Sequence, residues 1–195
     1  MAKGACRPAD KAIDRFCNSG FGDRDDHPIN CIDWTQAGSF CRYRGGRLPR
    51  EAEWELAARG SSPRTFPWGD EPPDHTRLNV CGIECSKEWP GHGPMHQGDD
   101  GFPQTAPVGS FPAGASPFGL LDAAGNVWEW TADHHLPYGD AAITGRWTVL
   151  SRYRVVRGGG WLHDKPVRVR TANRNSYPES ESNGHLGVRC ARDPG

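Results

Sequence analysis

From Ser61 onward the chain carries almost no helical periodicity and is cut at short intervals by proline, glycine, asparagine and aspartate. Punctuation of that density leaves room for loops and short strands. Across 195 residues there are 25 Gly and 17 Pro, more than an average globular chain but fewer than a low-complexity one. Eight Trp and seven Phe supply large apolar surfaces of a kind that disordered chains lack. The expectation is one loop-rich folded domain with an aromatic core, long enough for one core and short for two.

Helical signals come before that region. Asp33, with Gln36 three residues on, predicts an N-cap and capping box. The helix it opens would carry Ala37, Phe40 and Cys41 inward and stop at Gly45-Gly46. Pro49, the early glutamates Glu51, Glu53 and Glu55, and Gly60 bound a second helix, with Trp54, Ala57 and Ala58 as its buried stripe. A brief extended piece is predicted at 29–32, and strands at 147–150, 153–157, 167–171 and 187–191.

Twenty-three basic and 24 acidic residues are interspersed to a net charge of −1. No basic block is available to neutralise phosphates, which argues against a nucleic-acid partner. No apolar run approaches the length of a membrane span, and Met1 to Cys6 contains no apolar signal-peptide core. The seven cysteines, Cys6, Cys17, Cys31, Cys41, Cys81, Cys85 and Cys190, suit disulfides in a small loop-rich domain, and so an extracytoplasmic setting. The odd count leaves one thiol over. Cys81 and Cys85 read as a local pair; zinc competes for them, but no second pair stands at ligand spacing. Spacing does not apportion Cys6, Cys17 and Cys31.

Several blocks, in order, carry a family resemblance. They are the run 47–55 (RLPREAEWE), 66–71 (FPWGDE), 105–109 (TAPVG), 118–133 (FGLLDAAGNVWEWTAD), 154–161 (RVVRGGGW) and 186–192 (LGVRCAR). Over about residues 28–192 the chain resembles the formylglycine-generating-enzyme, or sulfatase-modifying-factor, family. The resemblance implies an α+β, C-type-lectin-like fold of two helices plus short strands. It implies a single domain over 1–195 whose first strands are missing from this chain. Trp68, Trp128, Trp130 and Trp161 would then hold the long loops as core.

The same resemblance implies two structural calcium sites. One takes the side chains of Asp122 and Glu129 with the carbonyls of Gly125 and Val127. The other takes the side chains of Asn79 and Asp100 with the carbonyls of Val80 and Phe102. Mixed carboxylate and carbonyl oxygens in a bent loop are what a hard cation requires. A Cys41–Cys190 disulfide is implied as well.

In the oxidising enzymes of that family, two cysteines roughly five residues apart after a Gly-Gly-Ser block bind Cu(I), a soft metal that thiolates suit. The corresponding stretch here, Trp161 to Arg168, contains no cysteine, and Gly160 stands where the serine would be. No catalytic residue is assigned and no copper is expected. The reading is a calcium-stabilised binding or sensory module for a protein or peptide ligand, part of a larger signalling or surface protein. Its rival is an oxidoreductase, formylglycine-generating-like or non-heme iron, acting on a protein or small thiol, with iron held by His163 with other histidines and carboxylates. The candidate ligand surface is Trp161, His163, Arg168, Arg170, Asn173, Arg174, Asn175 and Tyr177, residue types suited to recognition. The alternative for Arg170 and Arg174 is that they are internal props.

Overall fold

A computed structural model describes residues 15–20, 22–138 and 152–194. Helix α1 (Trp34–Tyr43) starts on the expected capping box. Asp33 Oδ1 accepts from the Gln36 N–H at 2.7 Å, and Gln36 Oε1 accepts from the Asp33 N–H at 2.9 Å. Ala37, Gly38 and Cys41 form its buried face, whereas Phe40 is 36% exposed. The inward placement expected for Phe40 is therefore corrected: the stripe follows the i, i+4 step from Ala37 to Cys41, which turns Phe40 to the helix flank.

Helix α2 (Glu51–Arg59) ends on Gly60 at φ 76°, a left-handed conformation that glycine adopts without strain. Trp54 and Ala58 are buried and Ala57 is half-buried. A third, six-residue helix, α3 (Ile83–Glu88), follows where none was expected. It is too short to show a period, and the Cys81–Cys85 disulfide, not an amphipathic stripe, fixes its first turn.

The sheet has four strands in the order β3-β2-β1-β4. These are β1 (Trp128–His134), β2 (Tyr153–Arg157), β3 (Arg174–Pro178) and β4 (Leu186–Val188). The β1–β2 and β2–β3 pairs are antiparallel and β1–β4 is parallel. Strand β2 coincides with the expected segment. The strand expected at 167–171 is instead a single 3-10 turn, Pro166–Val169. Pro166 fixes φ and offers no N–H to a ladder. Pairing passes to the polar segment of β3, which lacks apolar alternation. The strand expected at 187–191 is shorter, with Ala191 forming only an isolated bridge to Arg47. The extended piece at 29–32 bridges Gly187 through Asn30. The strand expected at 147–150 lies outside the described residues.

Tryptophans hold this strand-poor interior. Trp54, Trp128, Trp130 and Trp161 are among the largest fully buried side chains. Burying an indole leaves its N–H in need of an acceptor. Trp130 donates to the Ile32 carbonyl at 3.0 Å and Trp161 to the Gly184 carbonyl at 3.2 Å, so each pins a loop to the core. Half-buried Trp68 stacks on Phe66 with ring centroids 5.0 Å apart. Three disulfides complete the framework: Cys17–Cys31, Cys41–Cys190 and Cys81–Cys85. Cys6 lies outside the described residues.

Candidate cation sites and binding face

Asn79 is 1% exposed. Its Nδ2 donates to the Gln104 carbonyl at 2.8 Å and reaches Asn126 Oδ1 at 3.3 Å, both acceptors, which settles the orientation of the amide. Oδ1 is thereby left buried with no donor. Next in the chain, the Val80 N–H points at Asp100 Oδ2 (3.3 Å), while the Phe102 N–H donates to Asp100 Oδ1 (2.9 Å). The four residues Asn79, Val80, Asp100 and Phe102 are thus brought to one place. Burial pushes the Asp100 carboxyl up to about 7, and the negative charge of Glu84 adds to the rise. An orphaned amide oxygen beside a crowded carboxylate lacks positive charge, and a hard cation fits that need.

The second set differs. Asp122, Val127 and Glu129 line a cavity of about 620 Å³. Gly125, at φ 81°, has no room for a Cβ, which would run into the Asn79 carbonyl. Asp122 Oδ2 accepts from the Gly109 N–H at 2.7 Å. Burial raises the Asp122 carboxyl. Glu129, however, already holds the Arg189 guanidinium on both oxygens (2.8 and 3.0 Å) and accepts the Trp54 indole N–H at 2.5 Å. A cation entering here must share Glu129 with Arg189, a residue to which the sequence reading gave no role. Among the described residues, no three His, Cys, Asp or Glu side chains converge as a metal cluster. The donors at both sets are oxygens.

The candidate ligand surface divides in two. Arg174 is tied inward although it borders a cleft: its Nε and Nη2 lie 2.8 and 2.6 Å from the Glu51 carboxylate, and Nη1 donates to the Leu136 carbonyl. Beside it Arg157, fully buried, bonds Glu51, Glu55 and the Thr171 carbonyl. Glu51, Arg174 and Tyr138 border an open cleft of about 820 Å³ that no sequence motif signalled.

Of the others, only Arg168 and Arg170 are exposed. Asn173 donates to the Arg168 carbonyl at 2.8 Å, Asn175 is half-buried, and Tyr177 packs edge-on to Trp130. His163 meets Trp128 edge-on at 5.3 Å, and its Nε2 is buried without a partner. Burial lowers His163 to about 4, helped by the positive surroundings of His185 and Arg168. The expectation that Trp161 belongs to the surface is corrected: its indole is core, 1% exposed, stacked obliquely beside His185. The exposed patch is therefore basic and centred on Arg168.

Fold and site together define a disulfide-braced α+β domain of C-type-lectin-like build, with two oxygen-donor sets and an exposed basic patch at Arg168 and Arg170. Residues 3–194 match the sulfatase-modifying factor enzyme 1-like domain, and the chain belongs to this family. It is 38% identical over 188 residues to a formylglycine-generating enzyme of Thermomonospora curvata, covering 90% of this chain and 59% of that one. It is 36% identical over 184 residues to an inactive Cα-formylglycine-generating enzyme 2 of Mus musculus, covering 91% and 53%. The structure of PvdO from Pseudomonas aeruginosa superposes with a TM-score of 0.64 at 28% identity, covering 87% of this chain and 63% of that one. The chain thus spans between half and two thirds of these relatives.

Proposed function

We propose that this domain is a calcium-stabilised binding module without sulfatase-activating oxidase activity. One observation carries the reading. The stretch after Gly158-Gly159-Gly160 offers His163, Arg168 and Arg170 but no thiol, and every cysteine among the described residues is spent in a disulfide. Soft thiolates are what Cu(I) needs, and a lone imidazole between an indole and basic neighbours does not replace them. The inactive mouse relative supports the idea that this fold persists without the reaction.

Calcium is assigned first to Asn79, Val80, Asp100 and Phe102, where the unpartnered Asn79 oxygen favours it, and second to Asp122, Gly125, Val127 and Glu129. The ligand is a protein or peptide segment with acidic character, received on the face around Arg168 and Tyr177. Disulfides persist in oxidising compartments, which supports an extracytoplasmic setting; the proposed context is a larger signalling or surface protein. No helix among the described residues is long and apolar enough to cross a membrane.

Metal analysis tests the reading. Protein incubated separately with calcium, copper and iron salts and then desalted should retain calcium in stoichiometric amount. Stoichiometric copper or iron bound through His163, with loss on His163→Ala, would overturn it.

A further inference from the structure

The Asn79–Asp100 set leaves one nearby carboxylate without a role. Glu84 sits in the first turn of α3, between the two cysteines of the Cys81–Cys85 bridge. Its Oε1 accepts from the Gly82 N–H at 3.2 Å, so the side chain folds back over the chain that carries Asn79 and Val80. Only glycine permits this: a Cβ on Gly82 would stand 2.6 Å from Glu84 Oε1 and 2.9 Å from Oε2. The other oxygen, Oε2, is buried with no donor. Glu84 is near enough to Asp100, a second carboxylate, for its negative charge to raise the Asp100 carboxyl. Asn79 Oδ1, earlier in the same stretch of chain, is likewise a buried oxygen lacking a donor.

Two carboxylates brought together out of water repel, and each orphaned oxygen adds a desolvation cost. Arg77 and Lys87 are the nearest cationic side chains in sequence. Arg77 is engaged by Asp74 at 3.0 Å, and no ion pair of Lys87 with Glu84 or Asp100 exists among the described residues. The His96 imidazole lies beside the same turn, its Cε1 2.9 Å from where a Gly82 Cβ would stand, but no ion pair joins it to Glu84 or Asp100 among the described residues.

We propose that Glu84 is a further ligand of the divalent cation at the Asn79–Asp100 site, held there by the disulfide-bridged turn of α3. The proposal rests on the calcium reading above and adds a residue to it. With Glu84 the proposed ligand set becomes two carboxylates and the Asn79 amide oxygen, together with the Val80 and Phe102 carbonyls that the family resemblance implies. Ligand charge count is what tunes the affinity of oxygen sites for calcium. The two carboxylates of this site face no arginine among the described residues, whereas Glu129 of the other set is held by Arg189, so this is the tighter of the two sites. The Cys81–Cys85 bridge limits the freedom Glu84 loses when the ion enters.

Calcium titration calorimetry of the full chain tests this, comparing the unmodified protein with Glu84→Gln and Asp100→Asn. The binding step that Asp100→Asn removes should weaken by about tenfold or more in Glu84→Gln, roughly 1.4 kcal/mol. The melting temperature without calcium should not fall in Glu84→Gln, because one of two facing charges is gone. If Glu84→Gln keeps that step at full affinity while Asp100→Asn loses it, the Glu84 assignment fails and the calcium reading stands. If the unmodified protein shows no such step, both fail.

Discussion

Asn126 donates its N–H to the Asn79 carbonyl at 2.8 Å and receives the Asn79 amide on its own Oδ1 at 3.3 Å. Asn126 also clamps Ala106, accepting its N–H and donating to its carbonyl, both at 3.1 Å. One residue thus lies in the Asp122–Glu129 turn and touches a residue of the Asn79–Asp100 site. The two oxygen-lined sets are therefore one mechanical unit, which Gly125 makes possible by letting the Asn79 carbonyl come close.

Calcium should stabilise the fold as a consequence. At 100 times its dissociation constant, a cation bound only by the native state adds ~2.7 kcal/mol. For a chain of this size that is a rise of roughly 5–10 °C in melting temperature. Differential scanning calorimetry with calcium and with a chelator should show this rise, and Asp100→Asn should remove most of it. An unchanged melt would remove the cation from the account.

The buried Arg157 should be costly to remove. Its guanidinium stands between Glu51 and Glu55 and over the Trp54 ring, at 5.3 Å. Breaking a buried pair from one side leaves an uncompensated charge, worth about 3–5 kcal/mol. Arg157→Ala should lose that much in urea unfolding, whereas exposed Arg170→Ala should change stability by less than about 0.5 kcal/mol.

Much of this architecture can be read in the residues, and the limits have physical causes. The capping box at Asp33 and the glycine stop at Gly60 are local signals, and they locate both long helices. The Cys41–Cys190 link and the four-residue cation sets follow from family resemblance, because partners so far apart leave no local trace. The strand at 174–178 is hidden because its residues are polar on both faces, and α3 because a disulfide, not periodicity, determines it. Glu84 escapes notice since its role depends on a backward fold of the side chain over Gly82. Arg174 reads equally well as surface or prop until Glu51 is seen opposite it.

The long-range disulfide should carry much of the stability. Cys41 and Cys190 are 149 residues apart, and closing that loop is worth up to about 5 kcal/mol in the chain-entropy picture. Non-reducing peptide mapping should recover the Cys17–Cys31, Cys41–Cys190 and Cys81–Cys85 links. Cys41→Ser/Cys190→Ser should lower the urea midpoint more than Cys81→Ser/Cys85→Ser. Free thiols at positions 41 and 190 would contradict the extracytoplasmic placement.

Stability should also depend on His163. Its folded value of about 4 lies below the ordinary 6.5, so the unfolded chain binds a proton that the native state refuses. The contribution is fully present above pH 6.5 and is lost as pH falls through 4. It amounts to about 3 kcal/mol over that window, taking 1.36 kcal/mol per unit. The difference in unfolding free energy between the unmodified protein and His163→Phe should slope across this range and flatten above it. A flat difference would mean that His163 titrates normally.

The most direct measurement concerns the absent thiols after Gly160. Purified protein, copper, a reductant and dioxygen are incubated with a cysteine-containing sulfatase peptide, and aldehyde is assayed by mass spectrometry of the peptide. The expected result is an unmodified cysteine, with no dioxygen consumed beyond a protein-free control. Catalytic conversion of the cysteine to the aldehyde would contradict the account at its centre.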